Sequence, residues 1–211
     1  MLALLLVGAA SAYVVARVVD GPTRCERFTA AADERRTADT GSGERVVVIG
    51  DSYSVGLGLD RPHRSWPDRL PGRVHVDGFS GSGFSASASG CGRVSYADRA
   101  ARAVRGGADL VVVEGGLNDV DRTDGAITRG FTRLMTALRG HEVLVVGPAA
   151  APDRRARAAR VDALLADLAA RHGVAYLSMT DLDLGYLDDR LHLTQAGHAA
   201  FGDRVAAAII G

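Results

Sequence analysis

Residues 45–54 read Arg45-Val46-Val47-Val48-Ile49-Gly50-Asp51-Ser52-Tyr53-Ser54. A run of β-branched residues is strand chemistry, and its failure to alternate with polar residues predicts a strand covered on both faces. The Gly-Asp-Ser after it is turn chemistry. Working outward, similar runs recur at Arg73–Asp77, Asp109–Glu114, Glu142–Val146 and Val174–Ser178. Amphipathic segments lie between them. Ala126–Leu138 carries Ile127, Phe131, Leu134, Met135 and Leu138 on one stripe. Asp153–Arg171 repeats Val161, Leu164, Leu165 and Leu168 at helical spacing, with His172-Gly173 as a stop. Thr194 can cap a last helix that turns Ala196, Ala200, Phe201, Val205 and Ile209 inward. Alternating strands and helices predict an α/β fold: a three-layer α/β/α sandwich around a five-stranded parallel sheet.

Composition removes several function classes. The chain of 211 residues balances 25 basic against 25 acidic side chains. Such a balance speaks against a nucleic-acid binder and against a polybasic membrane-surface protein. Every basic residue is Arg, so Schiff-base and P-loop lysine chemistry are excluded. The six His and two Cys residues show no metal-ligand spacing, and no metal is expected. Asn118 is the sole Asn and Trp66 the sole Trp; a lone Trp reads as core.

In a parallel sheet, function collects at the carboxyl ends of the strands. The first strand ends in Gly50-Asp51-Ser52, a turn that can present a hydroxyl beside helical N–H groups; by itself it is also an ordinary helix cap. After the second strand comes Gly78-Phe79-Ser80-Gly81-Ser82-Gly83, where backbone N–H groups can approach a ligand. The stretch Gly81–Ala86 also fits a dinucleotide loop, but Gly, Ser and Ala continue to Gly92 and no helix starts where a pyrophosphate would need it. The third strand ends in Gly115-Gly116-Leu117-Asn118-Asp119, offering an amide donor. Before the last helix stands Asp188-Asp189-Arg190-Leu191-His192, in which a carboxylate can orient an imidazole across a turn. Asp188 rivals Asp189 for that role. His198 reads as an ordinary surface histidine, and Asp51 and Asp119 as caps of their turns.

In this order, Gly50-Asp51-Ser52, Gly81, Gly116-Leu117-Asn118-Asp119 and Asp189-x-x-His192 resemble the four blocks of the SGNH (GDSL-type) hydrolase superfamily. Gly83 could fill the place of Gly81. The likeness spans about residues 45–210, and no G-x-S-x-G elbow of the ordinary α/β-hydrolases occurs. The resemblance implies a flavodoxin-like fold and a serine esterase without cofactor. Ser52 would be the nucleophile, His192 the general base and Asp189 its orienting partner. The oxyanion hole would be formed by the N–H groups of Ser52 and Gly81 and the amide of Asn118. Short loops and the lack of a long apolar lid favour a small or exposed ester, free or in the cell envelope. An O-acyltransferase, a carbohydrate deacetylase or a silent envelope-binding module are the competing readings.

Residues 1–19 contain an uncharged apolar run, Leu2–Ala16, and read as a membrane anchor or signal peptide. Residues 20–44 read as a polar linker, and residues 45–211 as the hydrolase domain. An extracytoplasmic location, secreted or anchored through the N-terminus, is the resulting expectation. Export would permit a disulfide between Cys25 and Cys91. Membrane contact would be confined to the N-terminal segment, and the oligomeric state is open.

Overall fold

A computed structural model describes residues 21–211. The segment read as an anchor or signal, residues 1–19, lies outside the described residues. The sheet has six strands: β1 (Thr40–Gly41), β2 (Arg45–Gly50), β3 (Arg73–Gly78), β4 (Leu110–Glu114), β5 (Glu142–Ala149) and β6 (Ala175–Met179). Their order is β1-β3-β2-β4-β5-β6. All five expected strands are present and parallel, in the order of a flavodoxin-like sheet. The sixth is a two-residue strand pairing antiparallel with β3 at the edge, too short to carry a periodicity signal.

The β-branched run explains the centre. Val47, Val48 and Ile49 on β2 are fully buried, as are Val111, Val112 and Val113 on β4. Burial on both faces requires a helical layer on each side. The helices are α1 (Arg24–Arg36), α2 (Ser52–Val55), α3 (Tyr96–Ala103), α4 (Asp124–Ala137), α5 (Arg155–His172) and α6 (Gln195–Ile210). α3, α4 and α5 pack in sequence against one another, while α6 packs on a 3₁₀ turn, Trp66–Arg69, that also touches α2 and β3. The expected stripes of α4 and α5 are inward; Ile127, Phe131, Leu134, Val161 and Leu165 are fully buried.

Three sequence expectations change. Residues 24–36, read as part of a polar linker, form α1. Only Ala32 and Arg35 of α1 are buried, so its amphipathic signal is weak. It is built instead by a capping box, Thr23 with Glu26, and tied down by a Cys25–Cys91 disulfide. On α6, Ala196 and Ala200 are exposed; the buried face runs through Gly197, His198, Phe201, Gly202 and Val205. Gly202 fixes that rotation, because a Cβ there would lie 2.4 Å from the Trp66 carbonyl oxygen. His198 is therefore no surface residue but 1% exposed.

The Trp66 N–H donates to His198 Nδ1 at 3.3 Å, which requires a neutral ring. Desolvation, and secondarily the charge of His192, pushes its pKa down to about 4 from 6.5. The unfolded chain takes up this proton below about pH 6.5, whereas the fold resists it until about pH 4. Stability present above the first value is thus lost as the pH falls toward the second, by on the order of 3 kcal/mol. Urea titrations between pH 7 and 4.5 should show this slope in the native protein and a flatter one in His198→Gln; equal slopes would remove His198 as its source.

Candidate active site

The site is assembled where β2, β3 and β4 end. Ser52 is the first residue of α2 and 8% exposed. Asp51 before it caps the helix, accepting the Tyr53 N–H at 3.0 Å. Ser52 Oγ lies 3.2 Å from His192 Nε2, and His192 Nδ1 lies 2.5 Å from Asp189 Oδ2. The other oxygen of Asp189 accepts the N–H groups of Leu191 and His192 at 3.0 and 2.9 Å. One carboxylate thus shapes the turn and orients the ring. Because Nδ1 faces a carboxylate it carries the ring proton, leaving Nε2 as acceptor for the Ser52 hydroxyl. Partial burial opposes ionisation of Asp189, but these hydrogen bonds prevail and hold its carboxyl below the usual range. Asp188, its rival in the sequence, is exposed and makes no hydrogen bond to His192.

The turn bearing His192 is fixed from several sides. Tyr53 OH donates to the Leu191 carbonyl at 2.6 Å, Leu187 N–H to the His192 carbonyl at 2.7 Å, and Arg190 pairs with Asp153 at 2.8 Å. Arg190 has a φ of 55°. That is left-handed backbone on a non-glycine residue, a tight reversal sustained by its surroundings.

Asn118 stands in a 3₁₀ turn after β4, reached through Gly115 and Gly116, whose φ values are 150° and 122°. A side chain at Gly115 would collide with Tyr96 Oη, 1.8 Å from the Cβ position. The Asn118 amide nitrogen donates to Asp51 Oδ2 at 3.0 Å and to the Ser82 carbonyl at 2.9 Å. Both amide hydrogens are therefore engaged, and Asn118 joins the turn of Ser52 to the glycine loop. Gly81 and Asn118 share the wall of a cavity of about 310 Å³. Gly83 is buried behind it, where a Cβ would sit 2.4 Å from Asp119 Oδ2. Asp119 accepts the N–H groups of Phe84 and Ser85 at 2.9 and 2.8 Å and so pins that loop. Burial pushes its pKa up to about 6 despite these bonds.

Below Ser52 lies a polar floor absent from the sequence reading. Ser54 Oγ donates to Glu114 Oε2 at 2.7 Å and accepts from Trp66 Nε1 at 3.2 Å. Trp66 is fully buried, as a core residue. Burial, and then their mutual repulsion, raises the Glu114 pKa, and burial raises that of Asp51. The sequence reading also missed the groups above the loop: Arg24 and Phe28 of α1 stand over Gly81, and Arg154 donates to the Leu117 carbonyl at 2.5 Å. Among the described residues, no cluster of three or more His, Cys, Asp or Glu side chains could hold a metal ion. No described helix is long and apolar enough to cross a membrane.

Residues 48–200 match the family model of the GDSL-like lipase/acylhydrolase family. Among solved structures, the chain is similar to a carbohydrate acetylesterase from Sinorhizobium meliloti, at 20% identity and a TM-score of 0.65, covering 80% of this chain and 99% of that one. It is likewise similar to the inhibitor-bound aryl esterase of M. smegmatis, at 20% identity and a TM-score of 0.67, covering 80% and 99%. A protein of Agrobacterium tumefaciens assigned as an arylesterase reaches 24% identity and a TM-score of 0.67, again covering 80% and 99%. These likenesses are ones of fold. No curated protein matches the sequence.

The geometry makes a spectroscopic prediction. The His192 Nδ1 proton, held against Asp189, should resonate far downfield in the proton spectrum. Asp189→Asn should move it upfield while Asp188→Asn leaves it in place; the reverse pattern would make Asp188 the partner.

Proposed function

Because the chain belongs to the GDSL-like lipase/acylhydrolase family, and with it to the SGNH hydrolases, it is an ester-hydrolysing enzyme, and we propose that it works through a Ser52–His192–Asp189 triad on a small or exposed carboxylic ester. The observation that carries this reading is the unbroken relay of 3.2 Å from Ser52 Oγ to His192 Nε2 and 2.5 Å from Nδ1 to Asp189. In the proposed reaction Ser52 Oγ forms a bond to the ester carbonyl carbon as its proton passes to Nε2. The tetrahedral intermediate expels the alcohol, which takes that proton. Water then adds to the acyl-enzyme by the same route, releasing the acid and restoring the Ser52 hydroxyl. Asp189 stabilises the imidazolium without itself being protonated.

The oxyanion would be met by the N–H groups of Ser52 and Gly81 and by Asn118. Since both Asn118 hydrogens already have acceptors, one must exchange the Ser82 carbonyl for the oxyanion. That exchange reduces the net gain, so the lower end of the usual range for an oxyanion donor is expected, about 10²-fold in kcat. The solved neighbour described as a carbohydrate acetylesterase supports a small acyl group, and the half-exposed Asp189 beside His192 supports an open site. We place the catalytic unit in residues 45–211, joined to the α1 segment by the disulfide, and the protein in an extracytoplasmic, oxidising compartment that suits that bond. The same triad would serve an acyltransferase if an alcohol acceptor replaced water.

The test is hydrolysis of 4-nitrophenyl esters of increasing chain length by the full chain. Ser52→Ala should lose roughly 10⁶ in kcat, and Asn118→Ala about 10². Turnover that persists in Ser52→Ala would sink the mechanism. A transferred acyl group outrunning hydrolysis when an alcohol is added would make transfer the reaction.

A further inference from the structure

The cavity beside Gly81 and Asn118 is not a neutral cleft. Three of the side chains lining it are guanidinium groups, Arg24, Arg122 and Arg154. Among the described residues none of the three forms an ion pair with a carboxylate. This sets them apart from most arginines of α3 to α5. The one acidic residue in the wall, Asp121, is bound to Arg157, which stands outside it. Asp51 lies behind Asn118, 2% exposed and already bonded to Tyr53 and Asn118. The cavity therefore carries excess positive charge at the edge of the site.

The positions of these groups are specific. A Cβ built on Gly81 would lie 3.9 Å from Arg24 Nη2 and 3.7 Å from the Phe28 ring. The guanidinium thus hangs directly over the glycine assigned to the oxyanion hole. It is stacked on Phe28, with its central carbon 5.0 Å from the ring centroid, and Phe28 meets Phe79 edge to face at 6.3 Å. Stacking of this kind orders a long side chain without satisfying its hydrogen-bond donors. Arg154, which also lines the cavity, is oriented by its bond to the Leu117 carbonyl, next to Asn118 in the chain. Arg122 completes the basic lining, its Nε buried without a hydrogen-bond partner.

We propose that this cavity is a subsite for an anionic group of the substrate, a carboxylate or phosphate, carried by the ester that Ser52 cleaves. The inference rests on the reading of Ser52 as nucleophile, and it narrows the substrate class to esters charged within reach of the oxyanion hole. Planar guanidinium donors match the oxygen pairs of carboxylates and phosphates. Arg24 and Arg154 are the residues that choose the substrate, and α1 takes part in recognition.

Two measurements test it, both on the full chain with its disulfide intact. The first compares kcat/KM for mono-4-nitrophenyl succinate, charged on the acyl side, with that for 4-nitrophenyl acetate, and for 4-acetoxybenzoate, charged on the alcohol side, with that for its methyl ester. At least one anionic ester should be preferred over its neutral counterpart by about tenfold or more, the usual size of one charge-assisted hydrogen bond. Arg24→Gln should cut that preference about tenfold, and Arg24→Lys should restore part of it. Arg24 is the exposed first residue of α1, so the fold does not depend on its side chain. The second measurement needs no turnover: calorimetry of benzoate and of phenyl phosphate with the Ser52→Ala protein. Saturable binding that Arg24→Gln and Arg154→Gln weaken supports the subsite, and the tighter of the two probes identifies the anion. A preference identical in the native protein and Arg24→Gln overturns the inference, as does anion binding that both substitutions leave intact. Hydrolysis surviving in Ser52→Ala would instead overturn the nucleophile and leave the binding result standing, so the two failures are distinct.

Discussion

The guanidinium of Arg99 is a full charge placed inside the protein, its side chain 2% exposed. It meets Asp77 at 2.6 Å, the Gly50 carbonyl at 2.9 Å and Ser82 Oγ at 3.0 Å. Those three partners belong to the end of β3, the end of β2 and the glycine loop. Arg102 adds two further bonds to Asp77, both at 2.9 Å. Desolvation opposes ionisation of Asp77, but the hydrogen bonds and charges of Arg102 and Arg99 prevail and keep its pKa low. A buried charge is tolerable only when it is paired and bonded this fully, and loss of one partner typically costs about 3–5 kcal/mol. The geometry of the site depends on this arrangement. Gly50 precedes the Asp51-Ser52 turn, and the Ser82 carbonyl is an acceptor for Asn118. Shift Arg99 and the separation between Ser52, Gly81 and Asn118 shifts with it.

Each of the strand ends then supplies one part, and the parts are cross-linked to each other more than to solvent. Asp51 links the Ser52 turn to Asn118, Asn118 links that turn to the loop, and Asp119 clamps the loop from below. Asp51, Glu114 and Asp119 are all nearly or fully buried and all pushed toward their neutral forms. By contrast Asp189, half-exposed and bonded by three donors, keeps its charge. The acid that pairs with His192 is the one that the fold leaves near water; the acids that hold the frame are submerged.

Much of this was readable from the residues. Unbroken β-branched runs dictate strands with two covered faces, and a parallel sheet dictates where function gathers. Ser52, Asn118, Asp189 and His192 therefore stood out as candidates by their places beyond the strand ends. The omissions have physical causes. α1 buries so little that no hydrophobic period marks it, and α3 is short and rich in Ala and Arg. Both begin with a cap signature, Thr23-x-x-Glu26 and Ser95-x-x-Asp98, which is a local signal of a helix start even where amphipathicity fails. His198 was misplaced because burial of an imidazole depends on Trp66, far away in sequence. The two hydrogen bonds of the Asn118 amide depend on Asp51 and Ser82, which only the folded sheet brings together.

The disulfide has a consequence for how α1 is held. With just two buried residues, this helix gains less from apolar burial than the helices of the core do. Yet Cys25, its second residue, is bonded across a separation of 66 residues to Cys91 in the glycine loop. Only residues 37–39 separate Arg36 from β1, so α1 is fastened at both its first and its last turn. The wall over Gly81 thus holds its place by covalent fastening rather than by a hydrophobic stripe.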